Sequence, residues 1–198
     1  MRKILVPILT IVLAAGILLG LYNGLLGVRQ ARSAAELTAK MQTILPGSQE
    51  FVPEEYTGED TNIRAVYKGE TGYVVETVTY GYAGNITMLI GVSNEGKVTG
   101  LVVNTMNETP GLGGEALTDH VFLSQFLNSG GTFEVANHGA DAFSSATGTA
   151  DAGTGETVEI DGITGATVTS KAVAKSVNSA VAYVTGADVA TSATSWGG

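Results

Sequence analysis

The chain has 198 residues, ten basic and nineteen acidic side chains, a net charge of -9 and no cysteine. That length allows one modest domain plus an anchoring segment, and without cysteine there is no disulfide, iron–sulfur cluster or thiolate zinc site. From Ser33 onward six basic residues stand against all nineteen acidic ones, a balance with no electrostatic footprint for nucleic acid.

Ile4 to Val28 carries no charge and is mostly Leu, Ile, Val, Ala and Gly. A hydrocarbon core is crossed by roughly 20 apolar residues in a helix, so residues 1–28 read as a transmembrane anchor. Pro7 falls in its first turn, where a missing N–H is tolerated. A cleaved signal peptide is the rival, but its apolar region usually runs only about 7–15 residues. Arg2 and Lys3 precede the run and Arg29 and Arg32 follow it, so charge counting leaves the orientation nearly balanced. A short basic tail before a first helix, with a large acidic domain behind it, favours export of that domain.

Residues 29–61 read as a juxtamembrane helix over Arg29–Leu45, ended by Pro46, and then an irregular acidic linker. Residues 62–186 read as the folded domain. Ile63–Lys68, Tyr73–Tyr80, Ile86–Ser93 and Lys97–Val103 are β-branched and near-alternating, which predicts strands. Asn94-Glu95-Gly96 between the last two is a hairpin signal, with glycine where a positive φ is needed. Asp119–Asn128 reads as a short helix capped by Asp119, and Thr132–Val135 as a further strand. Asn137–Gly155, rich in Ala, Ser, Thr and Gly, reads as a mobile surface loop.

Val168–Thr185 is the clearest helix, with Val173, Val177, Val181 and Val184 on one face and Gly186 ending it. Residues 187–198 read as a disordered tail. The pattern as a whole predicts an α+β fold: an antiparallel sheet with flanking helices, behind an N-terminal transmembrane helix.

Three segments carry chemistry. Asp161-Gly162-Ile163-Thr164-Gly165-Ala166-Thr167 is a run of mostly small residues that ends in a hydroxyl and enters the last helix. The start of a helix offers unpaired N–H groups and partial positive charge, so it stabilises a phosphate. Gly165 and Ala166 leave the Thr167 hydroxyl uncrowded. An ordinary turn with Thr167 as the helix cap is the plain alternative. The second segment, Glu108-Thr109-Pro110-Gly111-Leu112-Gly113-Gly114-Glu115, follows a strand; its glycines allow backbone to approach a flat ligand and Pro110 fixes the loop, with a plain surface loop as the alternative. The third is Gly81-Tyr82-Ala83-Gly84-Asn85 between strands, where Tyr82 can flank an aromatic ring system and a plain turn is the alternative. His120 and His138 have no partner at ligand spacing and read as surface residues, and Trp196 falls in the tail.

The order of these features, an anchor, Gly-Tyr-x-Gly, Glu-Thr-Pro-Gly-Leu-Gly and Thr-Gly-Ala-Thr, resembles the G subunits of Rnf electron-transport complexes. The C subunits of the sodium-pumping NADH:quinone oxidoreductases are the nearest cousins and the alternative family. The resemblance runs from Arg2 to about Thr185. It implies FMN joined through its phosphate to Thr167 by a flavin transferase. Asp161, Thr164, Gly165, Ala166 and Thr169 would lie around the linkage, and Glu108, Thr109, Pro110, Gly111, Leu112, Gly113, Tyr82 and Gly84 around the cofactor. Thr164 stands where the acceptor more usually has serine, and both carry a β-hydroxyl.

The resemblance also implies an electron-transfer subunit that turns over no substrate alone. Its partners would be the membrane and Fe–S subunits of an ion-translocating ferredoxin:NAD oxidoreductase and membrane lipid, with the domain on the extracytoplasmic side of a bacterial cytoplasmic membrane. A non-redox, membrane-anchored binding module is the reading from a different class, and it leaves the pairing of Thr-Gly-Ala-Thr with Glu-Thr-Pro-Gly-Leu-Gly unexplained.

Overall fold

The structure, a computed structural model, describes residues 32–108, 113–136 and 157–187. The expected anchor, Thr109–Leu112, the Asn137–Gly155 loop with His138, and residues 188–198 with Trp196 lie outside the described residues. Among the described residues no helix is long and apolar enough to cross a membrane.

The chain divides after Ala39. Residues 32–39 are helical, with the Thr38 hydroxyl donating to Ala34 O at 3.0 Å. The larger unit opens with helical residues 40–44, here α1. Both stretches agree with the helix expected over Arg29–Leu45.

Five strands follow, the last four where strands were expected: β1 (Val52–Glu54), β2 (Ile63–Lys68), β3 (Gly72–Tyr80), β4 (Asn85–Ser93) and β5 (Val98–Met106). They form one antiparallel sheet in the order β1-β2-β3-β4-β5. The β4–β5 turn has Gly96 at φ +78° and a bond from Gly96 N to Ser93 O of 2.9 Å, as the Asn-Glu-Gly signal requires. β1 was not expected; Pro53 sits in it, on an edge strand, where a missing donor is tolerated.

β4 is buried from Ile86 to Val92 because both of its faces are covered. One face joins the main core with α4 (Thr167–Thr185), which packs on β3 and β4. Ile86, Met88, Ile90 and Val92 meet Val173, Val177 and Val181 in that core, and Val184 packs partly buried against it. The other face receives the end of α1: Gly91 and Gly100, paired across β4 and β5, lie under the Ile44 backbone. The Thr99 hydroxyl donates to Ile44 O at 2.6 Å there.

After β5 come α2 (Gly113–Ala116) and α3 (His120–Ser124). Asp119 caps α3, its carboxylate accepting from Val121 N at 2.8 Å, as expected. The helix is shorter than the Asp119–Asn128 expected, because Gln125 to Asn128 continue as turns. β6 (Thr132–Ala136) forms where a strand was expected, but its partner was not foreseen. It pairs parallel with β7 (Thr157–Asp161) in a separate two-stranded sheet, so the domain is not purely antiparallel.

A side-chain amide extends each strand of that small sheet. Asn178 of α4 accepts from Phe133 N at 2.8 Å and donates to Phe133 O at 2.9 Å. Gln125 accepts from Asp161 N at 2.8 Å and donates to Asp161 O at 3.2 Å. At the far end of α4, Tyr183 packs edge-on to Tyr56 and Tyr73, and its hydroxyl donates to Glu54 at 3.2 Å. Gly186 ends the helix at φ +69°, as expected.

Candidate functional site

The connection from β7 to α4 is a closed turn. Ala166 N donates to Ile163 O at 2.9 Å, and Gly165 takes φ +81° at the third position of the turn. That conformation belongs to a type II turn and is the reason for a glycine there. Buried Ser170 closes the turn from inside: its hydroxyl accepts from Ile163 N at 3.1 Å and donates to Ala166 O at 3.0 Å. With Gln125 holding the backbone of Asp161, the segment is pinned at both ends.

Thr167 does not cap α4. The cap position is Ala166, which contributes no side-chain bond, and Ser170 N makes the first helical bond to Ala166 O at 2.8 Å. Thr167 is therefore the first residue of the helix proper, and its side chain is exposed, as is that of Thr164. Val168 beside it is 39% exposed. A helix lacks internal partners for its first N–H groups, and the first two residues that carry them here, Thr167 and Val168, are exposed. The arrangement presents a hydroxyl where an esterified phosphate would sit against those N–H groups.

The other two segments meet this one through Glu108. Its carboxylate accepts from Ala83 N at 3.2 and 3.4 Å. The same group accepts from the buried Thr169 hydroxyl at 3.3 Å. Gly81 N donates to Gly84 O at 2.8 Å, closing the β3–β4 turn and leaving Tyr82 69% exposed.

Three of these glycines lie against other parts of the chain. A Cβ on Gly81 would meet the Glu108 carboxylate, one on Gly113 would meet Glu108 and Thr169, and one on Gly84 would meet Asn107. At Gly81 and Gly113 the space is taken by side chains of the protein itself, and at Gly84 by the Asn107 backbone and side chain.

The structure thus brings Tyr82, Gly84, Glu108, Gly113 and Thr169 to the end of the domain that carries Thr164, Gly165, Ala166 and Thr167. Asp161 ends β7 on the Gln125 side of the turn. Thr109, Pro110, Gly111 and Leu112 lie outside the described residues. Gln125 and Ser170 were not foreseen. Ser170 had a signal, being four residues beyond the cap and so one turn above it; Gln125 had none. Among the described residues no group of three or more His, Asp or Glu is placed to hold a metal ion.

An FMN phosphodiester fits what is present. Thr167 is exposed and its side chain takes no part in capping, Val168 after it is exposed too, and both Glu108 oxygens are already engaged.

Residues 81–182 match the FMN-binding domain family. The chain is 32% identical over 167 residues to the G subunit of the Na(+)-translocating ferredoxin:NAD(+) oxidoreductase complex of Acetobacterium woodii, covering 73% of this chain and 72% of that one. It is 30% identical over 196 residues to the G subunit of the ion-translocating oxidoreductase complex of Methanosarcina acetivorans, covering 92% and 93%. A crystal structure of the C subunit of Na(+)-translocating NADH-quinone reductase from Parabacteroides distasonis is similar at 20% identity and a TM-score of 0.47, over 70% of this chain and 77% of that one. The chain belongs to the FMN-binding domain family and, within it, to the G subunits of Rnf-type ion-translocating oxidoreductase complexes.

Proposed function

We propose that this chain relays electrons within an ion-translocating ferredoxin:NAD oxidoreductase, carrying FMN as a phosphodiester on Thr167. The observation that carries the reading is the placement of Thr167: an exposed hydroxyl at the first position of a 19-residue helix, free of capping duty. FMN supplies redox chemistry that this cysteine-free chain lacks.

The chain's own residues do the rest. The N–H groups of the first turn of α4 hold the phosphate, and Gly165 and Ala166 keep the approach to Thr167 clear for a flavin transferase. Ser170 and Gln125 hold the turn in one shape. Tyr82 presents an exposed ring near this end of the domain for the isoalloxazine to rest on. Residues 1–28 anchor the chain in the cytoplasmic membrane with the domain outside. There a covalent link prevents loss of a cofactor that could not be recaptured. Residues 29–61 join the anchor to the domain of residues 62–186, and the other complex subunits are its electron partners.

The test is co-expression with a flavin transferase in an exporting host, followed by a denaturing gel viewed under ultraviolet light. Wild type should fluoresce at the chain's mass and Thr167→Ala should be dark. A dark wild type beside a fluorescent known acceptor would return Thr167 to an ordinary helix residue.

A further inference from the structure

We propose that Glu108 is the positioning residue of this site: one carboxylate locks the Tyr82 turn onto the first turn of α4 and thereby fixes where Tyr82 stands relative to Thr167. The statement about the cofactor rests on the reading above; the lock itself does not.

Three segments far apart in sequence converge on this side chain. Ala83 lies 25 residues before Glu108 and Thr169 lies 61 after it, and both bond to its oxygens. Thr169 is fully buried, so its hydroxyl needs an acceptor inside the protein, and Glu108 supplies it. Ala83 N, at an exposed turn, has the same carboxylate as its partner. The neighbouring glycines fit this role: at Gly81 and at Gly113 a Cβ would occupy the carboxylate's place. The two glycines thus clear space for a brace.

The consequence for the site follows from chain connectivity. Tyr82 is bonded directly to Ala83, and Thr169 stands two residues after Thr167 in the same helical turn. A carboxylate that grips Ala83 and Thr169 holds an exposed aromatic ring and the acceptor threonine in one arrangement. Without it, the Tyr82 turn has its internal bond from Gly81 N to Gly84 O but loses this tie to α4.

The substitutions Glu108→Gln and Glu108→Ala separate positioning from charge. Glutamine can still accept from Ala83 N, while its NH2 can only donate to the Thr169 oxygen, so it should preserve the Ala83 contact and reverse the other. Alanine removes both contacts. The first measurement is amide hydrogen exchange of the full chain in detergent, without flavin. Exchange at Ala83 should quicken about tenfold or more in Glu108→Ala, as expected when a charge-assisted bond is lost, and by clearly less in Glu108→Gln, whose neutral oxygen still accepts from Ala83 N. Thr169→Val keeps the Ala83 contact and should quicken it less.

The second measurement is on the flavin-loaded chain. Glu108→Ala should keep the covalent mass, because Thr167 remains accessible, but lose the visible circular dichroism that a fixed flavin environment produces; Glu108→Gln should restore it. Wild-type exchange at Ala83 in Glu108→Ala would overturn the proposal, as would equal losses in the Gln and Ala variants. Should Glu108→Ala fail to fold, the Gln and Thr169→Val pair decides: Ala83 protection lost altogether in Gln, or unchanged in Val, overturns it. An unflavinylated wild type would remove the proposed cofactor linkage yet leave the exchange result standing, so the two failures are distinguishable.

Discussion

Adding one methyl group at Gly100 tests how the end of α1 is seated. A Cβ there would lie 2.7 Å from Ile44 Cα, 2.8 Å from Ile44 O and 3.0 Å from Ile44 Cβ. Two of these are backbone atoms, so no rotamer change relieves the contact. The chain can respond in two ways. Releasing α1 would expose Met41, Ile44 and Leu45, all buried, at about 1.5–3 kcal/mol each, or roughly 5–9 kcal/mol together. Shifting α1 outward by a few tenths of an ångström costs about 1–3 kcal/mol, the usual range for overpacking. The smaller cost wins, so Gly100→Ala should keep α1 docked and lower the melting temperature by about 2–12 °C for a domain of this size.

Gly91 faces the same Ile44 carbonyl, so Gly91→Ala should cost a similar amount. The double variant should then cost less than the sum, because one displacement serves both methyl groups. Thermal unfolding followed by circular dichroism measures all three. An unchanged melting temperature in Gly100→Ala, or strict additivity in the pair, would refute the close seating of α1.

Three further outcomes are expected. Asn178→Leu should destabilise the domain by about 2 kcal/mol or more in urea titration, because both backbone groups of buried Phe133 lose their partner; Asn178→Asp, which keeps only the acceptor, should fall between. Gly165→Ala should cost about 1–2 kcal/mol from backbone conformation alone, since φ is +81° and the position is exposed; a neutral result would mean that the turn relaxes freely. Burial, reinforced by the Glu54 carboxylate, pushes the Tyr183 phenol up to about 12 from its ordinary 10.0. The folded state therefore holds that proton more tightly than the unfolded chain. Its stabilising contribution is whole below about pH 10, declines as the pH rises and is gone above about 12. Melting curves recorded across that window should fall more steeply for wild type than for Tyr183→Phe, and parallel curves would refute the assignment.

The sheet was legible because its strands alternate or run apolar and are joined by local hairpins. Asn94-Glu95-Gly96 announces its own turn, and the Val173, Val177, Val181 spacing announces the buried face of α4. What escaped depended on non-local partners. Val52-Pro53-Glu54 contains a proline and exposes all three residues, so nothing in it reads as a strand until β2 is beside it. Thr157–Asp161 is short and follows a stretch of small polar residues, and its partner β6 pairs with it in parallel across a long connection. Gln125 and Asn178 look like ordinary surface amides on helical segments; their work as substitute strand partners appears only in three dimensions.

At the site, the sequence singled out all three segments but not the Glu108 contacts that join them. Gly113 reads in the sequence as a place of close approach, and the side chains that approach it, Glu108 and Thr169, come from elsewhere in the chain. Thr167 was placed correctly at the start of a helix. That the cap is Ala166, leaving the Thr167 hydroxyl without that task, needed the backbone geometry of the turn.

The central claim is the bond between FMN and Thr167, and intact mass of the purified chain tests it most directly. Wild type and Thr167→Ala are produced alongside a flavin transferase in an exporting host and denatured before analysis. The account predicts a wild-type mass raised by FMN less one water, located by fragmentation to the peptide bearing Thr167, and an unmodified variant. An unmodified wild type in a host that labels a known acceptor, or a modification that persists in Thr167→Ala, would contradict it.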